Sequence, residues 1–173
     1  MQLVQTVKPL ATAGRNRLFG AFQYKRTPVP DNPEKIVVTD DWVKKNLVTI
    51  QLPHELAALP GADVAVLHRL VAPKFEELID AWRVAGVLGD IKTWNGSYAA
   101  RLVRGTTKGT LSAHAWGSAF DINAKWNGLG VVPPEVGKEG SVQRLVDIAQ
   151  ERGWLWGGFF SRKDAMHFEL AEL

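Results

Sequence analysis

The sequence contains no cysteine, which excludes disulfide bridges and thiolate metal sites. A transition metal would therefore have to be bound by histidine and carboxylate side chains. No apolar run approaches the ~20 residues that cross a bilayer, so we expect no stable membrane insertion. The segment Met1–Leu10 has no continuous apolar core after Lys8. We therefore expect no signal peptide and synthesis in the cytoplasm.

A strong charge bias is also missing. The chain has 21 Lys and Arg residues against 18 Asp and Glu residues, a net charge of +3. No basic run alternates with aromatic residues, which argues against a nucleic-acid partner. With 173 residues, of which 46% are hydrophobic and 23% charged, the chain suits one globular domain. We expect a monomer.

The hydrophobic pattern predicts an α+β fold. Short strands are expected over residues 36–39, 47–52, 90–94, 119–123, 154–159 and 166–170. A helix is expected from Ala62 to about Val87, kinked or split at Pro73, and a second from Ser141 to Gly153. Residues 124–140 are expected to form an irregular loop. Together these elements predict a small antiparallel sheet backed by two helices.

Two stretches, Ser112–Asp121 and Asp164–Glu169, carry the candidate chemistry. They combine two imidazoles with carboxylates among small or apolar neighbours. A catalytic zinc ion requires three nitrogen or oxygen donors, a fourth position for water, and a nearby carboxylate that accepts a proton. The two stretches therefore predict a zinc hydrolase.

Strand periodicity orients the second stretch. Met166, Phe168 and Leu170 alternate with His167 and Glu169, so the apolar side chains face the core. His167 then points into a space where a ligand can bind. Glu169 shares that face, either as a partner of the site or as a solvated charge.

The first stretch requires a bend. His114 and Asp121 are an odd number of residues apart, so a straight strand would direct them to opposite faces. Gly117 is the residue best able to bend the chain, which predicts His114 on the loop before a strand and Asp121 on the strand. Asp164, three residues before His167, is placed to deprotonate a metal-bound water.

Alternative interpretations remain open. A single histidine on a strand is usually structural, and an aspartate near glycine usually forms a turn. A serine hydrolase built from Ser112, His114 and Asp121 is disfavoured, because serine and histidine two residues apart lack the required geometry. His54 and His68 lie outside both stretches and are expected to be structural.

Three ordered blocks carry a resemblance to a known family. They are Ser112-x-His114-x-x-Gly117-x-Ala119-x-Asp121, Gly153-Trp154-x-Trp156-Gly157-Gly158 and Asp164-x-x-His167-Phe168-Glu169. The chain from about Asp90 to Leu170 resembles the M15 metallopeptidases. This family comprises D-alanyl-D-alanine carboxypeptidases and L-alanyl-D-glutamate endopeptidases, including phage endolysins.

The resemblance implies His114, Asp121 and His167 as Zn²⁺ ligands. It implies Asp164 as the general base, at a position where many members have glutamate.

The resemblance also suggests residues around the metal. Arg101 is expected to bind and polarise the scissile carbonyl, with Arg104 as the alternative. Ser112 is expected to hydrogen-bond near the site. Trp156 is expected either to line the cleft or to belong to the core.

The implied fold is a four-stranded antiparallel sheet with helices on one side, as in hedgehog-like DD-peptidases. Residues 61–173 would form the peptidase core of a single domain, and residues 1–60 an N-terminal extension packed on it.

The implied function is zinc-dependent hydrolysis of an amide bond in the peptidoglycan stem peptide. A phage or prophage lysin is expected, acting on the cell wall after release through a separate pore or as part of a virion. Endopeptidase and carboxypeptidase types stay open. The alternative is a non-catalytic, zinc-containing module that binds the cell wall or serves as a phage structural part.

Overall fold

A computed structural model describes residues 3–61, 63–105 and 109–173. Ala62, where the first predicted helix begins, lies outside these ranges, as do the first two residues of the N-terminal segment. Every helix in the described ranges is too short or too polar to span a bilayer.

The described residues form eight strands and six α-helices. The strands are β1 (Tyr24–Arg26), β2 (Ile36–Val38), β3 (Leu47–Gln51), β4 (Val64–His68), β5 (Trp94–Gly96), β6 (Ala119–Ile122), β7 (Trp154–Trp156) and β8 (His167–Leu170). The helices are α1 (Thr12–Phe19), α2 (Trp42–Asn46), α3 (His54–Ala57), α4 (Ala72–Val84), α5 (Ala124–Asn127) and α6 (Gln143–Gln150). Short 3₁₀ turns occupy Leu88–Asp90, Ala113–Trp116 and Gly157–Phe159.

The central sheet is antiparallel with strand order β5-β6-β8-β7. Phe120 of β6 and Phe168 of β8 stack with ring centroids 5.6 Å apart. Trp82 of α4 packs edge-on against both rings, and its indole N–H donates to the Leu145 carbonyl of α6 at 3.0 Å. The predicted α+β fold, with two helices behind a small antiparallel sheet, is therefore confirmed.

The prediction of a helix from residue 62 is wrong over Val64–His68. This segment forms β4 and pairs antiparallel with β3. A short apolar run rich in valine fits either a strand or a buried helix, and the partner strand decides the outcome. Pro73 lies in the first turn of α4, where its missing N–H is tolerated, so the helix needs no kink.

Other element boundaries also differ from the sequence prediction. β5 begins only at Trp94, after the 3₁₀ turn, and β7 ends at Trp156. The loop over 124–140 contains the single-turn helix α5. Helix α1 was not predicted, because its only buried residues are Arg15 and Phe19 and it lacks an apolar stripe.

The N-terminal sixty residues contribute to the main core. Phe19, Ile36 and Trp42 belong to the same buried cluster as Trp82 and Phe120. The β3–β4 pairing also crosses residue 60. The division into an extension over 1–60 and a core over 61–173 stays a prediction, which the isolated 61–173 fragment can test.

Candidate metal centre

The register of the central sheet brings the first two candidate ligands together. Asp121 on β6 lies opposite His167 on β8. Residues directly opposite in an antiparallel pair project from the same face. Accordingly, Asp121 Oδ1 is 3.1 Å from His167 Nδ1.

A tight turn adds the third candidate ligand. His114 lies in the 3₁₀ turn before β6, and Gly117 ends that turn in the left-handed region with φ 63°. A Cβ at this glycine would lie 2.8 Å from the backbone nitrogen of His68. The bend brings His114 Nε2 to 3.2 Å from Asp121 Oδ1 and 3.0 Å from His167 Nδ1.

The three donor atoms form a triangle that fits a small divalent cation. Its sides are 3.0, 3.1 and 3.2 Å. Tetrahedral zinc with bonds of 2.0–2.1 Å holds its donors about 3.3 Å apart. Two imidazole nitrogens and one carboxylate oxygen are also a donor set that zinc accepts. The group His114, Asp121 and His167 can therefore hold a metal.

Hydrogen bonds on the outer nitrogens aim both imidazoles at one point. His114 Nδ1 donates to the carbonyl oxygen of Ser97. His167 Nε2 donates to Glu169 Oε2 at 3.1 Å. Each ring then directs its other nitrogen toward the Asp121 carboxylate, where that nitrogen can bind a proton or a metal ion. Three electron-rich atoms converge, an arrangement that a cation at their centre stabilises.

The electrostatics of the cluster favour positive charge. Burial tends to lower the pKa of His167, but hydrogen bonds and charge from Asp121 and Glu169 outweigh it and raise that pKa to about 10. Burial tends to raise the pKa of Asp121, yet the charges and hydrogen bonds of His114 and His167 hold it well below its usual range. The cluster therefore stabilises either a proton or a metal ion between these side chains.

A cavity of about 370 Å³ opens beside the cluster. The polar side chains that line it, among the described residues, are Arg15, Arg101, Arg104, Thr110, Ser112, Ser161, Arg162, Asp164, His167 and Glu169. Because His167 lines this cavity, a substrate bound there would reach the cluster.

Asp164 is half-buried and lines the cavity. Within the described residues, its Oδ1 is buried and has no hydrogen-bond partner. Burial raises its pKa, with a contribution from the nearby Asp121 charge. Its backbone is held between Gly157 and His167 by hydrogen bonds of 3.0 Å. A carboxyl group with a raised pKa and one unpartnered oxygen, close to a candidate metal site, has the properties of a proton acceptor.

Arg101, Arg104 and Ser112 all line the cavity. Burial lowers the pKa of the Arg101 guanidinium, and the charges of Asp121 and Asp164 oppose that effect. Arg101 therefore lies within electrostatic reach of the candidate ligands and base. Arg104 is more exposed than Arg101.

Trp156 is placed in the core rather than against a substrate. Its side chain is 3% exposed, and it is not among the described residues that line the cavity. Its indole N–H donates to the Ala165 carbonyl at 2.7 Å. Of the two expected positions, Trp156 therefore occupies the one in the core, where it supports the loop that carries Asp164.

Two residues of the site were missed by the sequence analysis. Ser97 accepts the His114 hydrogen bond through its backbone carbonyl oxygen, and the residue type gives no indication of a backbone contact. Arg15 forms an ion pair with Glu169 at 2.7 Å, and α1 has no pattern that would mark it. Glu169 is 4% exposed, so it is a partner of the site and not a solvated charge.

Residues 105–170 match a family model described as D-alanyl-D-alanine carboxypeptidase. The matched segment contains His114, Asp121, Asp164 and His167, whereas Arg101 lies outside it. No curated protein and no solved structure matches the chain.

Proposed function

We propose that the chain is a zinc-dependent peptidase that acts on the stem peptide of bacterial peptidoglycan, a proposal supported by the match of residues 105–170 to the D-alanyl-D-alanine carboxypeptidase family model. One observation supports the proposal above the others. Two imidazole nitrogens and a carboxylate oxygen converge within 3.2 Å of one another, and the adjacent cavity is lined by Asp164, whose Oδ1 has no hydrogen-bond partner among the described residues.

The ligands would be His114, Asp121 and His167. A zinc ion bound to them would polarise the scissile carbonyl and lower the pKa of a water molecule. Asp164 would accept the proton that the attacking water loses when the water oxygen adds to the carbonyl carbon. The same carboxyl group returns the proton to the amide nitrogen when the C–N bond breaks.

Arg101 supplies positive charge to the carbonyl oxygen as negative charge develops there. Its guanidinium lies in the cavity wall within electrostatic reach of Asp121 and Asp164. Charged donors directed at a developing oxyanion typically supply several kcal/mol of catalysis, about 3–4 kcal/mol for one strong donor. Arg104 also lines the cavity and is the alternative donor.

The cavity charge supports an anionic peptide as substrate. Among the described residues, four arginines and two carboxylates line the cavity. Arg15 and Glu169 form an ion pair, which leaves Arg101, Arg104 and Arg162 against Asp164. Stem peptides carry free carboxylates that such a lining attracts. The bond cut would be that between L-alanine and D-glutamate or that between two D-alanines. A phage or prophage lysin is the biological role we propose, with the cell wall as its place of action.

Digestion of purified cell walls tests this proposal. We expect turbidity to fall with the zinc-loaded protein, to stay constant with a chelator, and to fall again when zinc is restored. Mass spectrometry of the released peptides identifies the bond. A matched Asp121→Ala variant should lose both zinc and activity.

Two results would contradict the proposal. Protein purified without chelators that contains no stoichiometric zinc would exclude the metal site. Stoichiometric zinc without cleavage of any stem peptide would instead identify a non-catalytic wall-binding or structural module.

A further inference from the structure

A buried ion pair connects the candidate metal centre to helix α1. Arg15 Nη2 donates to Glu169 Oε1 at 2.7 Å, and the two side chains are 10% and 5% exposed. The other oxygen of the same carboxylate accepts the N–H of His167 at 3.1 Å. One carboxylate thus joins a guanidinium to a ring whose opposite nitrogen faces the metal position.

The end of helix α1 is firmly anchored. The ring nitrogens of Trp42 and His68 both hydrogen-bond the carbonyl oxygen of Phe19, at 3.0 and 3.1 Å. The indole N–H of Trp116 donates to the Gly20 carbonyl at 3.1 Å. These contacts satisfy carbonyl groups that the helix end leaves free, one turn after the arginine. The guanidinium also lies 5.9 Å from the Trp116 ring centroid.

We propose that Arg15 is a positioning residue for the metal, acting through Glu169 on His167. Its hydrogen bond occupies Oε1, which leaves Oε2 to accept the imidazole N–H. A carboxylate fixed on the outer nitrogen holds the ring orientation and the tautomer, and it makes the inner nitrogen a better ligand. The inference rests on the proposed function, because it concerns the zinc site of the same peptidase.

Arg15 lies outside the segment 105–170 that carries the family match. The N-terminal part of the chain therefore supplies a component of the metal site. Arg15 also lines the cavity, so direct contact with the substrate is the alternative role that an experiment must separate.

Zinc affinity, measured by competition with a chromophoric chelator, gives a readout that does not depend on activity. Arg15→Met should weaken zinc binding on the order of 10-fold or more, and it should alter the visible spectrum of the cobalt(II)-substituted protein. Arg15→Lys keeps the charge and should recover most of the affinity. Arg17→Met, an exposed position on the same helix, should behave as wild type.

A double-variant comparison identifies the route of the effect. Glu169→Gln alone should weaken zinc binding, and adding Arg15→Met to it should cause little further loss, because Arg15 acts through that carboxylate. If Arg15→Met does not fold, Arg15→Gln, which keeps a donor without the charge, takes its place. Near-ultraviolet circular dichroism of the metal-free proteins monitors folding.

Two results would overturn the inference. One is an additive loss of zinc affinity in the double variant. The other is unchanged zinc affinity with a raised KM in Arg15→Met, which would make Arg15 a substrate contact. In both cases wild type still binds zinc and the proposed function stands, whereas a wild type without stoichiometric zinc would overturn the proposed function itself.

Discussion

Asp121 and His167 face each other across the β6–β8 strand pair, with 3.1 Å between Oδ1 and Nδ1. The adjacent pair in the same register is Phe120 and Phe168, whose stacked rings are fully buried. A slip of one residue would move His167 to the opposite face and expose a phenylalanine. Core packing therefore determines the geometry of the candidate metal site.

Asp164→Asn should abolish hydrolysis while zinc stays bound. The amide has nearly the same shape but cannot accept the proton, so we expect kcat to fall about 10²- to 10⁴-fold. Peptide cleavage and elemental analysis on the same sample measure both properties. The exposed Asp31→Asn variant is the control and should retain activity. Loss of zinc from Asp164→Asn would contradict the assignment of Asp164 as the base.

His68 should make stability depend on pH. Burial lowers its pKa from 6.5 to about 4. The neutral ring is fully hydrogen-bonded, because Nε2 donates to the Phe19 carbonyl and Nδ1 accepts the Leu70 N–H, both at 3.1 Å. Below pH 6.5 the unfolded chain binds a proton that the folded state excludes. The free energy of unfolding should therefore fall by about 3 kcal/mol between pH 6.5 and pH 4.

Urea unfolding at a series of pH values measures this dependence. His68→Gln should have a lower free energy of unfolding than wild type at neutral pH. Because glutamine does not titrate, the difference in free energy of unfolding between the two proteins should shrink as the pH falls. Parallel curves for wild type and His68→Gln would contradict the explanation.

Gly117→Ala should reduce both stability and zinc affinity. A left-handed alanine costs about 1–2 kcal/mol. The new Cβ would also lie 2.8 Å from the backbone nitrogen of His68 and from Leu47 Cδ2, so the turn that carries His114 must shift. Gly86 has a similar φ of 69° with nothing within 4 Å of a Cβ, which makes Gly86→Ala a matched control. This explanation would be contradicted if Gly117→Ala and Gly86→Ala had the same zinc affinity and the same free energy of unfolding.

The isolated fragment 61–173 should not fold cooperatively. It would lose β3, the partner of β4, together with core residues such as Phe19 and Trp42. Arg15, the partner of Glu169, would also be absent. Dispersion of amide resonances and zinc binding of the fragment test this expectation. A folded, zinc-binding fragment would instead support residues 1–60 as an extension on an independent core.

Strands β6 and β8 of the central sheet could be predicted from the sequence because their signals are local. The alternation of apolar and polar residues over 166–170 predicted that His167 and Glu169 lie on the same face of the strand. The odd spacing of His114 and Asp121 required a bend, and Gly117 provides it with its positive φ. The three motifs also resemble the M15 family, and all three lie within residues 105–170, the segment that matches the D-alanyl-D-alanine carboxypeptidase family model.

Other features had no local signal. Val64–His68 has an apolar pattern that fits a helix as well as a strand, and only its pairing with Leu47–Gln51 makes it β4. Trp156 belongs to the core because its indole N–H meets the Ala165 carbonyl.

The sequence alone determined the residue types at the site, the strands that carry two of the candidate ligands, and the bend that carries the third. These follow from side-chain alternation and glycine conformation within a few residues. Only the tertiary structure decided which groups support them. Arg15 and Glu169 are 154 residues apart, and their contact depends on the packing of the whole N-terminal segment, which no local pattern encodes.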